Sequence, residues 1–215
     1  MREPATVAAV VLAAGGSSRF GPGAKLLAPW RGRPLLLAAL DAAIGAGLDE
    51  TVVVGGAVDL SGVVPGSVTL LRNEAWSSGQ ASSLRAGLDW CARRGHAAAV
   101  VGLGDAPLVP ASAWRAVAGS AADLAVATFG GRRHPPVRIG RARFGEVPAS
   151  GDEGARRLLA GAPGVVEVPC EGAPLDVDTV EDLRALGGER GAIGSPGASG
   201  GGGGSAGRGA PRGAS

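Results

Sequence analysis

The sequence predicts an open, mostly parallel α/β sheet flanked by helices, and three observations carry that expectation. An apolar, β-branched run, Val7 to Leu12, is short enough to be a strand buried on both faces. It passes directly into a glycine-rich turn, Gly15-Gly16-Ser17-Ser18-Arg19-Phe20-Gly21-Pro22-Gly23, which ends at Lys25. Beyond it, short apolar runs alternate with helix-length segments as far as Leu186, the pattern of repeated strand–helix units with ligands at the carboxyl ends of the strands.

Each element has its own local reason. Pro34 opens an all-round apolar segment that reads as a buried helix ending at Gly45 to Gly47. Thr51–Val54 and Val68–Leu71 read as strands. A helix is expected from Gly79 through Leu84, Leu88 and Cys91 to Gly95, with Ser82 and Ser83 in its first turn. The continuous apolar run Ala97–Leu103 reads as a central strand, and Pro110–Ala118 as a helix. Leu124–Thr128 and the short Val137–Ile139 read as strands, Asp152–Leu159 as a helix, Val165–Val168 as a strand and Val180–Leu186 as the last helix. From Gly187 the chain is almost all Gly, Ala, Ser, Arg and Pro, with Glu189 and one large apolar residue, Ile193, so residues 187–215 are expected to form a disordered tail after a 1–186 domain.

Composition narrows the function classes. With 21 Lys+Arg against 19 Asp+Glu, the net charge of +2 gives no electrostatic case for nucleic-acid binding. No apolar segment reaches about 18 residues without glycine or charge, so no membrane span is expected. The N-terminal apolar run continues into the glycine-rich turn, which argues against a cleaved signal. Cys91 and Cys170 lack metal or redox spacing and read as buried, reduced thiols of a cytoplasmic protein. His96 and His134 have no companions for zinc or for a nucleophilic relay, which leaves carboxylates, backbone amides and cations to carry any chemistry.

Lys25 is the only lysine in the chain. A compact ammonium after a glycine-rich turn suits a phosphate, since glycines let backbone N–H groups crowd toward an anion. Neither familiar phosphate loop fits. Ser17 and Ser18 stand where the dinucleotide fingerprint needs its next glycine, and Pro22 follows Gly21 where the Walker pattern needs lysine. Asp105, in Gly102-Leu103-Gly104-Asp105-Ala106-Pro107, falls at the carboxyl edge of the central strand; it reads equally as a ligand-facing carboxylate and as an Asp opening a turn before proline. Asp176 and Asp178 lie two apart on an extended segment, so both carboxylates face one way and call for a cation or donors between them. Thr179 and Asp182 have the spacing of a capping pair for the last helix.

Leu12-Ala13-Ala14-Gly15-Gly16-Ser17-Ser18-Arg19-Phe20-Gly21…Lys25 resembles the L-A-A-G-x-S-x-R-x-G…K signature of nucleotidyltransferases related to the molybdenum cofactor cytidylyltransferases and guanylyltransferases, with one residue inserted around Pro22-Gly23-Ala24. Gly104-Asp105-Ala106-Pro107 is similar to that family's G-D-x-P segment, with Ala106 in place of the usual Gln. Asn73 to Leu84 is similar to its N-x-x-W…G-x-x-x-S-L, Gly151 to Arg156 to its G-D-x-G-A-R, and Asp176 to Leu183 to its D-x-D-T-x-E-D-L. His134-Pro135-Pro136-Val137 departs from the family's Gly, Asn or His, Pro-Val. The five matches follow family order over Val7 to Leu186.

The resemblance implies a Rossmann-like nucleotidyltransferase fold and Mg²⁺-dependent transfer from a nucleoside triphosphate to a phosphate of the molybdenum–molybdopterin cofactor, releasing pyrophosphate. Alanine at the Ala14 place goes with cytidylyl donors, so CTP is expected. Arg19, Lys25 and Asp105 are implied as catalytic. Leu12, Ala13, Ala14, Gly15, Gly16, Ser17, Lys25, Gly79, Ser82 and Ser83 are implied as nucleotide-binding, Asp152 and Arg156 as acceptor-binding, and Asp105 and Asp178 as Mg²⁺ ligands, Asp178 being preferred to Asp176 because it directly precedes Thr179. A molybdoenzyme or its maturation chaperone is a further implied partner. Alternatives are guanylyl transfer to the same cofactor, transfer to a sugar or polyol phosphate, an oxidoreductase (for which no flavin or nicotinamide fingerprint is present), and a non-catalytic cofactor carrier.

Overall fold

A computed structural model describes residues 5–21 and 24–188; the tail beyond residue 188, together with Pro22 and Gly23 of the inserted turn, lies outside the described residues. Nine strands and five α-helices occur among them. In chain order they are β1 (Val7–Ala13), β2 (Pro29–Trp30), β3 (Arg33–Pro34), α1 (Leu35–Gly45), β4 (Glu50–Gly55), β5 (Thr69–Arg72), α2 (Gln80–Arg94) and β6 (Ala98–Leu103). There follow α3 (Ala111–Ala118), β7 (Leu124–Phe129), β8 (Arg132–Gly140), α4 (Ala155–Gly161), β9 (Val166–Pro169) and α5 (Val180–Gly188). Seven strands make one sheet in the order β5-β4-β1-β6-β8-β7-β9, while β2 and β3 pair as a separate hairpin. Only β8 runs against its neighbours; β1 pairs in parallel with both β4 and β6. The sheet is thus open and mostly parallel, as the alternation of runs implied.

Period-two alternation divides each central strand between two cores. Ala9, Val11 and Ala13 of β1 face Leu36 and Leu40 of α1 and Trp114 of α3. Ala8 and Val10 face the opposite layer, with Leu84, Leu88 and Cys91 of α2 and Leu158 of α4. Burial of apolar surface on both faces is what a parallel sheet requires. A third, smaller cluster of Phe20, Trp30, Leu35, Val177 and Leu186 sits beyond the carboxyl edge and packs α5 onto the glycine-rich turn.

The structure corrects the expected elements at three places. The short strand expected at Val137–Ile139 is part of β8, nine residues from Arg132 to Gly140, joined to β7 through Gly130 and Gly131, which both have positive φ. Its Pro135-Pro136 pair falls where the β7–β8 register shifts, so the missing amide donors interrupt no regular pairing. The helix expected from Asp152 begins at Ala155, because Gly151 (φ 110°) and Gly154 (φ 47°) fold the preceding residues into a turn. Both cysteines are free, with Cys91 buried and Cys170 half-buried rather than buried.

Candidate functional site

Three segments converge at the carboxyl edge of β1 and β6. The first is the turn after β1. Phe20 N donates to Ser17 O (2.9 Å), closing the turn, and Ser17 holds φ 56°. Gly16 makes a close approach: a Cβ there would lie 3.0 Å from the Trp76 ring, which would have to shift to admit it. Leu26, buried behind it, seats Lys25 at the start of a single 3₁₀ turn, Lys25–Leu27.

The second segment brings Asp105 off the end of β6. Gly104 N donates to Leu12 O (2.9 Å), clamping this exit against the end of β1. The third brings Asp178. Val177 is fully buried in the small apolar cluster and its N donates to Asp105 O (2.9 Å), so the residues on either side of it are turned outward. Asp182 Oδ2 accepts from Asp178 N (3.0 Å) and Thr179 N (2.8 Å), while Asp182 N donates to Thr179 Oγ1 (3.1 Å). This reciprocal cap starts α5 and fixes the backbone that carries Asp178.

The result is a compact charge cluster. Lys25 Nζ donates to Asp105 Oδ2 (2.5 Å) and lies 3.5 Å from Asp178 Oδ1. Arg19 grips Asp178 with both terminal nitrogens, each 3.0 Å from an oxygen. Burial pushes the Asp105 carboxyl above its ordinary value, against the pull of the Lys25 ammonium. A carboxylate in that position is stabilised by added positive charge.

A cavity of about 440 Å³ opens over Arg19, Lys25 and Asp105 of this cluster, with Asp178 behind them and not on its wall. Its wall includes Leu12, Ala13, Ala14, Gly15, Gly16, Ser17, Arg19, Lys25, Gly79, Ser83, Asp105 and Asp152. Ser82 is not on that wall. Its hydroxyl donates inward toward Gly79 O (2.8 Å) and Ala75 O (3.0 Å) and accepts from Asn73 Nδ2 (2.9 Å). Nor is the N-terminus of α2 wholly open to an anion, since Ala81 N already donates to Gly151 O (2.9 Å). Gly79, at φ 110°, makes that docking possible; a Cβ there would meet the Gly151 carbonyl carbon at 2.5 Å.

A second cavity of about 350 Å³ adjoins the first through the shared residues Leu12, Gln80 and Leu103. Arg156 lines it, whereas Asp152 lines the first, so the two expected acceptor residues are divided between the cavities. Asp176 also faces the second cavity, where Oδ1 lies 3.0 Å from His134 Nε2. His134 Nδ1 lies 2.7 Å from Pro135 O. Both ring nitrogens therefore meet oxygens that only accept, and the imidazolium is the form that satisfies both. Burial works against that charge, but the Asp176 and Pro135 contacts outweigh it and raise the His134 pKa above its ordinary value. The two aspartates that share a face in the sequence thus part company, Asp178 toward Lys25 and Asp176 toward His134. Sequence reasoning missed Gln80, Arg133 and the His134–Asp176 pair. The available signal was Gly130-Gly131 between two runs, which marks a hairpin and would have brought His134 into the sheet.

The cluster also fits a divalent cation. The Lys25 ammonium already occupies the gap between Asp105 and Asp178, which shows that one compact cation can serve both carboxylates. Among the described residues no group of three or more His, Cys, Asp or Glu forms a closed metal site. A pair of hard oxygen ligands, completed by phosphate and water, is the set that magnesium or manganese accepts.

Comparison with known proteins agrees with this geometry. Residues 9–170 match the MobA-like NTP transferase domain. The chain belongs to this family. Its members are nucleotidyltransferases, and a nucleoside triphosphate is the substrate class. Among solved structures, Rv0371c from Mycobacterium tuberculosis H37Rv is 32% identical with a TM-score of 0.76, over 86% of this chain and 99% of that one. A complex of Rv0371c with manganese is 31% identical with a TM-score of 0.71, over 85% and 98%. A further relative, nicotine blue oxidoreductase of Paenarthrobacter nicotinovorans, is 33% identical over 84% of this chain and 96% of its own. Asp176 and Asp178 lie beyond the residues matched to the MobA-like domain, although α5 and its cap hold Asp178 against its charge cluster. No helix among the described residues is long and apolar enough to cross a membrane.

Proposed function

We propose that this MobA-like protein transfers a nucleotidyl group, from CTP by preference, to a phosphate of the molybdenum–molybdopterin cofactor. The observation that carries the reading is the meeting of Arg19, Lys25, Asp105 and Asp178 beneath a cavity walled by the glycine-rich turn. An acceptor phosphate oxygen attacks the α-phosphorus, the bond to the bridging oxygen breaks, and pyrophosphate leaves with the electron pair. The amides of Gly15 and Gly16 and the cations of Arg19 and Lys25 gather the triphosphate, so the reaction needs orientation and charge neutralisation rather than a covalent intermediate. Asp105 and Asp178 would hold Mg²⁺, which supplies Lewis-acid stabilisation of phosphate charge. Lys25 moves from the carboxylates to the phosphates as nucleotide binds. Ala14, on the cavity wall, supports a cytidine donor through the family pattern, with guanylyl transfer as the alternative.

The deciding experiment is pyrophosphate release across the four nucleoside triphosphates, with molybdopterin and with sugar and polyol phosphates as acceptors. CTP with molybdopterin should be the fastest pair, and Asp105→Asn should abolish turnover. Release with a sugar phosphate alone would replace the acceptor, and full turnover by Asp105→Asn would overturn the mechanism. A second reading, oxidoreduction, has in its favour only the name of the Paenarthrobacter relative. Oxidation of NADH or NADPH by the purified protein, with no pyrophosphate release from any donor, would establish it instead.

A further inference from the structure

A third cavity, of about 450 Å³, lies outside both of these and shares no wall residue with either. It opens between the β2–β3 hairpin, the Ala38–Ala42 stretch of α1 and the Pro107–Pro110 segment that leads into α3. Its size matches the first cavity and falls in the range of small-molecule sites. Two features of its wall work against the fold. The hairpin turns through Arg31 and Gly32, both with positive φ (52° and 77°). Asn, Asp or Gly fits the first place of such a turn, whereas an arginine there is strained. Among the described residues the only other non-glycine with positive φ is Ser17, which lines the first cavity. Strain of this kind gathers where a ligand is clamped. The second feature is Trp30, 7% exposed, whose indole N–H has no hydrogen-bond partner among the described residues. A buried donor without a partner is unfavourable, and this one belongs to a side chain of the same wall.

The remaining groups decide what fits. The Arg31 guanidinium lies 3.9 Å from the centre of the Trp30 ring, a stack that holds its charge at the cavity. Arg33 is paired with Asp41 through both terminal nitrogens (2.9 and 3.4 Å), which neutralises the one acidic side chain on the wall. Pro34, Pro107 and Pro110 have no N–H, and Leu108 and Val109 add apolar surface. The wall is therefore cationic at the hairpin and apolar elsewhere. A cationic ligand would meet a net positive wall, and a bare anion would leave the apolar part unused. We propose that this cavity is a binding site for an amphiphilic organic anion, with the anionic group received by Arg31 and the apolar body laid along α1 and the prolines. The site stands apart from the charge cluster, so the assignment does not rest on nucleotidyl transfer.

The test uses two fluorescent probes that differ in one group. 8-Anilinonaphthalene-1-sulfonate carries an anion on an apolar aromatic body, and N-phenyl-1-naphthylamine is the same body without the sulfonate. Each is titrated into the full-length protein, with and without CTP. The sulfonate should bind about tenfold or more tightly than the neutral amine, as expected for one charge-assisted contact. CTP should displace neither probe. Arg31→Asn, whose side chain suits the turn, should fold as the wild type does and lose the preference for the sulfonate. Ala42→Leu, which keeps a helix former on α1 and fills the space beside it, should weaken both probes by about tenfold. Equal affinity for the two probes, a preference that survives Arg31→Asn, binding untouched by Ala42→Leu, or displacement by CTP would overturn the assignment.

Discussion

Replacing Lys25 by methionine removes the ammonium from between two carboxylates while keeping most of the side chain's volume. Asp105 and Asp178 then face each other with Arg19 as the remaining cation, and Arg19 is mostly exposed, at 73%. Losing one partner of a buried ion pair costs about 3–5 kcal/mol. Here the lower end applies, about 3 kcal/mol, because Asp178 is 35% exposed and water screens it. For a domain of this size that lowers the melting temperature by roughly 6–12 °C. A divalent cation should then do what the ammonium did: at a concentration 100-fold above its dissociation constant it restores about 2.7 kcal/mol. Thermal unfolding of wild type and Lys25→Met, in chelator and then across a MgCl₂ or MnCl₂ series, measures both effects. The variant should melt lower in chelator and gain more than wild type from the metal. In the same variant, triphosphate affinity should fall by about tenfold or more, the worth of one charge-assisted contact. Identical melting in chelator, or an equal response of both proteins to metal, would refute the idea that Lys25 stands in a cation gap.

Other outcomes follow from packing and from the opposite end of the sheet. At the N-terminal edge of β4, burial works to raise the Glu50 pKa, but hydrogen bonds from His96, Trp90, Thr69 and Arg94 prevail and hold it at about 2 against an ordinary 4.5. A depressed carboxyl stabilises the fold above its unfolded pKa and loses that contribution as pH falls from about 4.5 toward 2; after screening through the exposed Arg94 it amounts to about 2 kcal/mol. Glu50→Gln should therefore be less stable at pH 7 and lose less on acidification, and denaturant curves of parallel pH dependence would contradict this. Gly87→Ala sets about 1 kcal/mol of helix propensity against a methyl placed 2.7 Å from Val10 Cγ1 and 3.3 Å from Val54 Cγ2. Overpacking costs about 1–3 kcal/mol, so net destabilisation is expected, and a higher melting point would show that α2 does not press on β1. Val177→Ala should cost about 2–3 kcal/mol through two lost methyl groups and the cavity they leave. It should also weaken metal-dependent nucleotide binding, because Val177 sets the segment that carries Asp178; unchanged nucleotide affinity would count against that link.

Much of this arrangement was legible in the residues. The first strand, the glycine-rich turn and the strand that leads to Asp105 are local patterns, and each lies where its pattern implied. The position of Asp178 beside Lys25 has a local basis, since the Thr179–Asp182 cap fixes the residue just before it while Val177 anchors the other side. What was not legible depends on contacts between distant segments. Arg132–Pro136, charged and holding two prolines, fell outside the short strand expected at Val137–Ile139; this part of β8 pairs with β7 alone, and only the Val137–Gly140 part is flanked by β6 as well. The pairing of His134 with Asp176 spans 42 positions and leaves no local periodicity. Ser82 and Ser83 looked equivalent at the start of α2. Both accept a hydrogen bond from Asn73, nine and ten residues earlier, but only Ser83 reaches the cavity.

The small apolar cluster that unites Phe20, Trp30, Leu35, Val177 and Leu186 gives the protein an order of assembly. Each charge of the cluster lies within three residues of a side chain in it or packed against it: Arg19 beside Phe20, Lys25 near Ala28, Asp105 near Leu108, Asp178 beside Val177. The central strands can pair as they leave the ribosome, whereas this knot waits for α5. A growing polypeptide would hold its sheet before it could hold a triphosphate, and competence for nucleotide would come only with α5.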